Sequence, residues 1–333
     1  IKGYRGIFVI SGSREKRESS PFSDVLTLKE IRKNPRLLKR RRVVAVHVHH
    51  GTLAPKFLFL KEKCGLPLFV GFRGNDATAF PERSKKNMAV LRKLFASADR
   101  FFPVCEFLKR KIVALGCPEE KVRVLYGGVD VNRFRYRPRT FDGTKPVRFL
   151  AVGRFVEKKG FDDLIRAFAI VKERIGNARL KLIGDGPCGA EYRKLIGRFR
   201  LNDSVKMVPW VDYGNIHRNY ERSHIFCAPS RTDGTGNQEG IPNTLKEAMA
   251  TGLPVVSTYH AGIPELVEHR SSGLLVPEKS VAELAEAMIW LAEHPEWWEA
   301  YGKRGREIVE EKFHLKKQLA VQKEYYDEVI GRN

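Results

Sequence analysis

The chain has 333 residues, of which 42% are hydrophobic and 30% are charged, and its formal net charge is +22. This composition is typical of a soluble globular protein with room for two α/β domains, and no apolar run reaches the roughly 20 residues that a membrane-spanning helix needs. The positive charge predicts an anionic partner surface: phosphorylated substrates, lipid headgroups or nucleic acid.

The five cysteines are odd in number, widely spaced and mostly in apolar surroundings. The absence of a CxxC pair or a Cys/His cluster argues against a disulfide framework and a zinc site. With no visible signal peptide, the cysteines predict small core residues of a reduced cytoplasmic protein. Because the chain begins with Ile1 rather than methionine, it is compatible with a fragment or a processed protein.

The densest run of cations is Arg32–Arg42, in which two leucines lie among the basic residues. Three interpretations stay open: a solvated helix end, a segment that attaches to an anionic membrane surface, and a nucleic-acid-binding segment. No RNP-type aromatic pattern, zinc finger or obvious helix-turn-helix supports the third interpretation. We therefore expect either solvation or peripheral contact with an anionic membrane, and no nucleic-acid partner.

Apolar strand-like runs alternate with amphipathic helical patterns along the chain. Near-continuous Val/Ile/Leu strands in such an alternation predict parallel sheets that are covered on both faces. The predicted strands are Gly6–Ser11, Val43–His49, Leu68–Phe72, Phe101–Val104, Val122–Tyr126, Val147–Val152, Arg179–Ile183, Val205–Val208, Ile225–Ala228, Pro254–Thr258 and Gly273–Val276. Helical examples between them are Gly160–Ile175, Glu191–Phe199 and Val281–Glu293.

The stretch Phe134–Pro146 lacks periodicity and carries Pro and Gly, which predicts a domain linker. We place the linker itself at residues 139–146, between a first Rossmann-like domain of residues 1–138 and a second of residues 147–312. A last helix over residues 313–333 is expected to pack back on the first domain. The predicted fold class is α/β, with two doubly wound domains that face a ligand-binding cleft.

Two strand ends of the first domain carry polar side chains. Alternation in VAVHVHHG sends His47 and His49 to one face, where a satisfied buried histidine, a substrate-facing rim and a metal pair are the alternatives. The next strand ends in GFRGND, which puts Arg73 and Asp76 in a turn that faces the cleft. We take His49 and Asp76 as candidates for the acceptor side of the site.

In the second domain, the strand RFLAVGR ends at Gly153 and Arg154, and Lys158 and Lys159 follow before the next helix. Cations on one strand-to-helix turn would point into the cleft. There an arginine can grip phosphate oxygens bidentately and a lysine adds a point charge. The alternative is a basic surface loop.

The next turn, GDGPCG, is formally a GxGxxG motif between a strand and a helix. A dinucleotide-binding dehydrogenase is disfavoured because Pro187 removes a backbone donor and the motif lies in the middle of the chain. In addition, no acidic residue is convincingly placed at the end of the following strand. Gly184 and Gly186 remain candidates for a turn that a nucleotide approaches closely.

The most informative segment is residues 238–265, where Glu239 lies in a Gly/Pro loop and Glu247 on the helix that this loop begins. Pro242 suits the first helical position, and the helix is predicted to end at Gly252. A loop that leads into a helix N-terminus presents unpaired amides and the positive end of the dipole, which predicts a phosphate site. A carboxylate on either side suits hydroxyl recognition, and the alternative is an ordinary unit with two surface glutamates.

No DxD motif occurs in the chain, so a metal that bridges a diphosphate has no support in the sequence. Charge balance then has to come from Arg154, Lys159 and the helix dipole near Pro242. We therefore expect no metal and no cofactor.

Together these stretches resemble the GT-B glycosyltransferases of family 4, especially the bacterial exopolysaccharide and colanic-acid-type members. The resemblance covers nearly the whole chain in the family's order. It implies a retaining hexosyltransferase that uses a nucleotide-sugar without a metal. The similar stretches are HVHHG, FRGND, GCPEEKVRVLYGGVDVNRF, GRFVEKKGFDDLI, LIGDGP, APSRTDGTGNQEGIPNTLKEAMATGLPVVST and GIPELVEHRSSGLLVPE.

The resemblance also implies roles for single residues. Arg154 and Lys159 match the pair that holds the donor diphosphate, and Glu239 matches the glutamate beside the hydroxyls of the donor sugar. Glu247 matches the ribose-binding glutamate. The expected donor-binding residues, which include the loop whose amides meet sugar and phosphate, are Gly153, Gly184, Gly186, Gly240, Ile241, Pro242, Asn243 and Glu247.

Two departures from the family pattern matter. Arg73, which we group with the catalytic candidates, stands where the family commonly has histidine near the donor sugar. Since arginine cannot act as a base, recognition of an anionic sugar and holding of the loop are the alternatives for this residue. The family's opening strand and glycine-bearing loop are not matched, because GYRGIFVIS resembles its second strand. A truncated acceptor half that binds donor yet transfers poorly therefore stays open.

The expected reaction moves one sugar by front-face displacement to a glycan or polyprenyl-linked acceptor in surface polysaccharide biosynthesis. From family frequency we expect a UDP-sugar donor, with a GDP-sugar next. The alternatives are another GT-B enzyme, such as a phosphorylase or a sugar-nucleotide epimerase, and a non-enzymatic nucleotide-sugar or nucleic-acid binder. Salt-dependent DNA binding without a response to sugar nucleotides would favour the binder.

Overall fold

The computed structural model describes residues 8–10, 25–141 and 143–331. Its strands are β1 Phe8–Ile10, β2 Val25–Thr27, β3 Val46–Val48, β4 Leu68–Phe72, β5 Arg100–Pro103, β6 Val147–Val152, β7 Ala178–Ile183, β8 Val205–Val208, β9 Ile225–Ala228, β10 Val255–Thr258 and β11 Gly273–Val276. Its helices are α1 Leu28–Lys33, α2 Arg36–Arg40, α3 Leu58–Cys64, α4 Ala79–Glu82, α5 Lys85–Ser97, α6 Glu106–Ala114, α7 Phe161–Arg174, α8 Gly189–Arg198, α9 His217–Glu221, α10 Asn243–Ala250, α11 Val281–Glu293, α12 Trp298–Lys312 and α13 Leu315–Ile330. Short 3-10 turns cover Ala54–Phe57, Glu119–Lys121, Glu157–Lys159, Ile263–Glu265 and Pro295–Trp297.

The larger sheet belongs to the second domain and has six parallel strands in the order β11-β10-β9-β6-β7-β8. Strand β6 pairs with β7 on one side and with β9 on the other. The strands that follow β6 are therefore added in one direction up to β8 and in the opposite direction from β9 to β11. Every residue of β9, β10 and β11 is buried, as expected for strands covered on both faces. This is a doubly wound sheet, and its crevice opens at the carboxyl ends of β6 and β9.

The first domain contains a parallel three-stranded sheet in the order β3-β4-β5 and a parallel pair of β1 with β2. The strand predicted over Gly6–Ser11 corresponds to β1, and its residues 6, 7 and 11 lie outside the described residues. The short strand β2 was not predicted. Both domains are thus α/β units with parallel sheets, as the strand–helix alternation predicts.

The prediction of a strand over Val122–Tyr126 is wrong. Only Val122 forms a bridge, to Phe101, although the amides of Arg123 and Leu125 donate to the carbonyls of Phe101 and Pro103. In a parallel ladder the amide of residue 103 would return a bond to the carbonyl of residue 123, but proline has no N–H to donate. Residues 122–126 therefore do not form a continuous parallel ladder with β5.

The main apolar core runs through both domains. It joins Phe72 and Phe101 of the first sheet to Phe226 of the second sheet and Leu245 of α10. A second cluster fills the other side of the six-stranded sheet, between Phe149 and the helices that cover it. Because burial of apolar area is the dominant stabilising term, this shared core keeps the two domains together.

The last helix, α13, lies on the first sheet. The ring of Tyr326 stacks on Phe69 at a centroid distance of 4.7 Å, and Tyr325 stacks on Phe102 at 5.8 Å. Just before α13 the chain contacts the first domain at Val129, whose amide donates to the carbonyl of Phe313 at 2.8 Å. The helix predicted at the C-terminus is thus present and packs on the first domain. The exact domain boundaries stay a prediction.

The basic segment forms the end of α1, the whole of α2 and the turn after it. Leu38 and Ile31 are buried in a small apolar cluster, whereas the cations of α2 are exposed. The segment is therefore an exposed basic surface on an apolar base. Across the described residues, no helix has the length and apolar character needed to cross a membrane.

Candidate active site

The turn after β6 carries the cations that the sequence predicts for the donor. Gly153 and the exposed Arg154 follow the last strand residue, Val152, and a 3-10 turn then brings Lys158 and Lys159 together. Lys158 is buried and Lys159 is half-buried. Within the part of the chain that the structure describes, Arg154 pairs with no carboxylate. It is therefore available to a ligand.

Glu239 is the carboxylate on which both lysines converge. Its Oε1 lies 3.0 Å from Nζ of Lys159 and 3.6 Å from Nζ of Lys158, and its side chain is only 12% exposed. Burial alone would raise the pKa of Glu239, but the two lysines outweigh burial and lower this pKa to about 2. Burial also lowers the pKa of Lys158, although Glu239 opposes that shift. The predicted catalytic pair of Glu239 and Lys159 is thus in direct contact.

The predicted glycines lie where two turns pack against each other. Gly184 has φ +150°, and a Cβ there would lie 1.9 Å from the carbonyl oxygen of Gly153. Gly186 has φ +151°, and a Cβ there would lie 2.6 Å from the carbonyl oxygen of Phe155. Only glycine fits such positions. Because backbone packing explains these glycines, their role in donor binding stays a prediction.

Helix α10 begins at Asn243, after Pro242 and the buried Ile241, and it has no side-chain cap. The amides of Leu245 and Lys246 donate to the carbonyl of Pro242, which leaves the amides of Asn243 and Thr244 to face an anion. The phosphate site at this helix start stays a prediction. One turn further, buried Glu247 accepts a hydrogen bond from the Tyr220 hydroxyl at 2.8 Å. Burial raises the pKa of Glu247, and this hydrogen bond opposes the shift. Tyr220 thus orients the carboxylate predicted to bind ribose.

The loop before α10 is wedged against the first domain. A Cβ at Gly240 would lie 2.5 Å from Cγ2 of Val104, and a Cβ at Gly74 would lie 2.4 Å from the carbonyl oxygen of Gln238. The amide of Gln238 donates to Oγ1 of Thr78 at 3.2 Å. The Glu239 loop therefore touches the turn of the first domain that carries Arg73 and Asp76.

Arg73 and His49 meet on the first-domain side. Nε of Arg73 donates to the carbonyl oxygen of His49 at 3.1 Å, and Nη2 lies 3.2 Å from Nδ1 of the same histidine. Burial lowers the pKa of His49, and the positive charge of Arg73 adds to that effect. A neutral His49 can then accept from the guanidinium. These contacts support loop holding as the role of Arg73.

Asp76 is buried beneath the same turn. Its carboxylate accepts hydrogen bonds from the amides of Gly51, Arg73 and Gly74, at 3.0, 2.9 and 3.0 Å. It therefore ties the two strand-end loops to each other. The acceptor-side role that we predicted for Asp76 and His49 stays a prediction.

His47 is the least exposed of the three histidines and is half-buried. Its Nδ1 contacts the hydroxyl of Tyr326, and burial lowers its pKa to about 3. Of the three alternatives, these contacts support a histidine held against α13 through Nδ1, although its buried Nε2 has no hydrogen-bond partner among the described residues. In the described ranges, no three His, Cys, Asp or Glu side chains are grouped so that they could hold a metal ion.

Two buried residues of the site were missed by sequence reasoning. Nζ of Lys246 donates to the carbonyl oxygen of Gly127 in the first domain at 2.6 Å, and burial lowers the pKa of Lys246 to about 8. His260 accepts a hydrogen bond from the amide of Glu239 and contacts Glu278. A single lysine on a helix, or a single histidine after a strand, has no spacing pattern that would have revealed it.

The site combines three cations, the largely buried carboxylate of Glu239 between two of them, and a helix N-terminus without a side-chain cap. Such a group can neutralise a polyanion, because fixed donors at partly buried positions interact more strongly with it than they would in water. The carboxylate beside them can accept hydrogen bonds from hydroxyl groups of the same ligand.

Two family models match the chain. The model described as "Glycosyl transferases group 1" matches residues 132–308, and the model described as "Glycosyltransferase Family 4" matches residues 12–133. The chain is 38% identical over 246 residues to the amylovoran biosynthesis glycosyltransferase AmsK of Erwinia amylovora, covering 73% of this chain and 59% of AmsK. It is 36% identical over 250 residues to the putative colanic acid biosynthesis glycosyltransferase WcaL of Escherichia coli K12, covering 73% of this chain and 61% of WcaL.

The chain spans about three fifths of the length of these curated relatives. Among solved structures, it is similar to HepE of Anabaena in complex with UDP, with a TM-score of 0.76 and 19% identity. That similarity covers 92% of this chain and 86% of the HepE chain. At this level of identity the similarity concerns the fold.

Proposed function

This chain belongs to glycosyltransferase family 4, with the GT-B fold, and on that premise we propose that it transfers a sugar from a nucleotide-sugar to a glycan or lipid-linked acceptor in surface polysaccharide biosynthesis. The family and the fold predicted from the sequence are confirmed. The names of AmsK and WcaL support the biosynthetic role, and the bound UDP of HepE supports a UDP-sugar as donor, with a GDP-sugar next.

The observation that carries the proposal is the contact of Glu239 with Lys159 and Lys158 beside the open N-terminus of α10. We assign the donor pyrophosphate to Lys159, Arg154 and the helix amides, and the hydroxyls of the donor sugar to Glu239. Dipole and cations contribute on the order of 1 kcal/mol each where exposed, and more when desolvated. In this proposal the protein neutralises the leaving group without a divalent ion.

The proposed chemistry retains the anomeric configuration. The bond from C1 of the sugar to the diphosphate oxygen breaks, and an oxocarbenium-like centre forms. The acceptor oxygen bonds to C1 on the same face, and its proton passes to the departing diphosphate oxygen. This front-face route needs no nucleophile from the protein, and Glu239 remains an ionised partner of the donor throughout.

We also propose that the protein works on the cytoplasmic side of a membrane, where a polyprenyl-linked acceptor is presented. The exposed cations of α2 suit peripheral contact with anionic lipid headgroups. The cysteines, which are all free thiols, suit a reducing compartment.

A thermal-shift panel of UDP-, GDP- and ADP-sugars with EDTA present tests the donor site. A nucleotide-sugar at about 100 times its Kd stabilises the native state by about 2.7 kcal/mol, so its Tm should rise by several degrees. Lys159→Ala should abolish most of that rise because it removes a cation that binds the pyrophosphate. Glu239→Ala should reduce the rise to that given by the nucleoside diphosphate, because only the contact with the sugar is lost.

Glu293→Ala and Lys194→Ala are matched controls, since both residues lie on the exposed surface of the second domain. They should keep the full rise in Tm. A rise that disappears with EDTA would contradict the metal-independent site. The same thermal-shift measurement with DNA and with a sugar 1-phosphate tests the alternatives. A rise in Tm with DNA alone that weakens with salt would indicate a nucleic-acid binder. A rise only with the sugar 1-phosphate would indicate a phosphorylase.

A further inference from the structure

His260 is fully buried directly behind Glu239. It follows β10, and its Nε2 lies 3.0 Å from the backbone nitrogen of Glu239. Its Nδ1 lies 2.6 Å from Oε1 of Glu278, which follows the neighbouring strand β11. The imidazole therefore bridges the loop of Glu239 and the carboxyl edge of the sheet.

The two contacts of the ring define its protonation state. A backbone amide can only donate, so Nε2 of His260 must carry a lone pair. The ring hydrogen then lies on Nδ1 and is donated to the carboxylate of Glu278. Only the neutral Nδ1–H tautomer satisfies both neighbours, and a second proton would place an N–H at Nε2 against the amide of Glu239.

The same carboxylate extends the contact to the other end of the loop. Oε2 of Glu278 accepts a hydrogen bond from the amide of Thr232 at 2.8 Å. Oγ1 of Thr232 accepts in turn from Nε2 of Gln238 at 3.0 Å. Since Gln238 precedes Glu239, the hydrogen bonds form a closed ring through His260 and Glu278 that returns to the same loop.

We propose that His260 is a positioning residue, whose neutral ring, held by Glu278, orients the Glu239 loop so that this carboxylate faces the donor sugar. The inference deepens the proposed function and rests on it for the identity of the ligand. Glu239 touches the sugar in that proposal, whereas His260 acts only through the backbone of Glu239.

The charged groups that face the ring are Glu278, Glu239 and Lys158. Burial lowers the pKa of His260, and the two carboxylates oppose that shift while Lys158 adds to it. The net pKa lies below the usual value, so the ring stays neutral near neutral pH. Protonation at more acidic pH would remove the acceptor for the amide of Glu239 and release the loop.

Two substitutions of His260 separate its contacts. The Oε1 of glutamine can occupy the place of Nε2, so His260→Gln keeps an acceptor for the amide of Glu239 but cannot titrate. Asparagine is too short for that, so His260→Asn keeps only the contact with Glu278. Titration calorimetry of the full chain with UDP-glucose and UDP, and with GDP-mannose and GDP, then measures how much affinity the sugar adds.

We expect His260→Asn to reduce the preference for nucleotide-sugar over nucleoside diphosphate by about tenfold, because the misplaced Glu239 contacts only the sugar. The preference of His260→Gln for nucleotide-sugar should stay within about twofold of the native preference. In the native chain this preference should decline at acidic pH as His260 is protonated, and in His260→Gln that decline should be absent. A general loss of stability would weaken both ligands equally. The control is His294→Asn, at the C-terminal end of helix α11, where His294 contacts the carbonyl of Trp290. This variant should change neither affinity.

Histidine ring ¹⁵N NMR of the full chain supplies a readout that does not depend on any sugar nucleotide. We expect His260 to be the neutral Nδ1–H tautomer near pH 7. An Nε2–H tautomer, or an unchanged sugar preference in His260→Asn, would overturn the positioning role. If the native chain binds no nucleotide-sugar while the tautomer is as expected, the proposed function fails and the positioning of the loop by His260 stands.

Discussion

The carboxylate of Glu239 is outnumbered by the cations around it. Lys158 and Lys159 both approach it, and Arg154 adds a third positive charge without a carboxylate of its own in the described residues. The pocket is therefore electropositive before any ligand arrives. A pyrophosphate restores the balance, so donor binding and charge neutralisation are the same event.

Glu239 should also make stability depend on acid pH. Its folded pKa of about 2 lies below the ordinary value of 4.5, so the unfolded chain binds a proton first as pH falls. The stabilisation is complete above the unfolded pKa and is lost as pH falls toward the folded pKa. We expect the difference in free energy of unfolding between the native chain and Glu239→Gln to shrink by about 2 kcal/mol between about pH 6 and about pH 3.

Urea unfolding at the two pH values measures this difference. Glu293→Gln removes an exposed carboxylate paired with Arg174 at 2.8 Å and serves as the control, since exposed ion pairs contribute about 0–1 kcal/mol. Parallel curves for the native chain and Glu239→Gln would show that the two lysines do not hold the carboxylate ionised.

The residues of the site differ in how far sequence could reveal them. Glu239 and Glu247 were predictable because they flank a Gly/Pro loop and a helix start, and Lys159 because it follows a strand end. His260 and Lys246 were not predictable, since their roles depend on contacts with residues distant in the chain. Asp76 was predicted as an acceptor-side candidate on a turn that faces the cleft, but the three backbone amides that donate to its carboxylate could not be predicted from the sequence.

At the scale of the elements, helix α6 depends on the other domain. Its N-cap residue Cys105 provides no side-chain hydrogen bond. Glu265 of the second domain instead accepts from the amides of Glu106 and Phe107, both at 2.8 Å, and from the hydroxyl of Tyr126 at 3.1 Å. One carboxylate thus caps a helix across the domain interface, where the positive end of the helix dipole favours it.

Removal of this cap should weaken α6 and the domain contact together. We expect Glu265→Ala to lower the free energy of unfolding by about 1–3 kcal/mol, because two helix amides and a hydroxyl lose their acceptor. Hydrogen exchange should show faster exchange at residues 106–107.

Glu268→Ala is the matched control, as Glu268 pairs with Arg304 on the surface at 2.7 Å. Its loss should cost no more than about 1 kcal/mol and should leave α6 protected. Unchanged exchange at the start of α6 in Glu265→Ala would mean that the helix does not need the cross-domain cap.

Strand prediction succeeded where apolar residues are buried on both faces. In the second domain each of the six strands was found within one residue at either end, because continuous Val/Ile/Leu runs have no other stable placement. The strand over Val122–Tyr126 failed because Pro103 on the neighbouring strand cannot return a hydrogen bond. Strand β2 has only three residues and shows no periodic pattern.

For the whole molecule, the two-domain architecture followed from alternation and one aperiodic linker. The cross-domain contacts did not follow, since Glu265, Lys246 and Gln238 meet partners more than 100 positions away. The net charge of +22 is likewise a property of the entire surface. This charge favours any anionic partner, so an experiment must distinguish the contribution of the cations of helix α2 from that of the other surface cations.

Vesicle binding distinguishes a specific membrane surface from general charge. We expect the full chain to bind vesicles with about 30% phosphatidylserine and not neutral vesicles, and the binding should weaken as salt shortens the Debye length below about 10 Å. Reversing Arg36, Lys39 and Arg40 to glutamate should abolish sedimentation with the vesicles, because each cation near the surface contributes about 1 kcal/mol.

The control reverses three exposed cations of helix α8, namely Arg193, Lys194 and Arg198. The two triple variants carry the same net charge and differ only in place. Equal loss of vesicle binding in both would assign the attraction to overall charge and would refute a docking role for α2.

The polypeptide crosses between the domains twice, once through the linker and again where Phe313 meets Val129 before α13. Residues 143–145 of the linker are exposed. A protease that nicks the linker would thus cut one chain into two pieces without separating them, since the larger piece still carries α13 seated on the smaller one. Cleavage of the linker and separation of the two pieces are therefore different events, and the separation requires a denaturant.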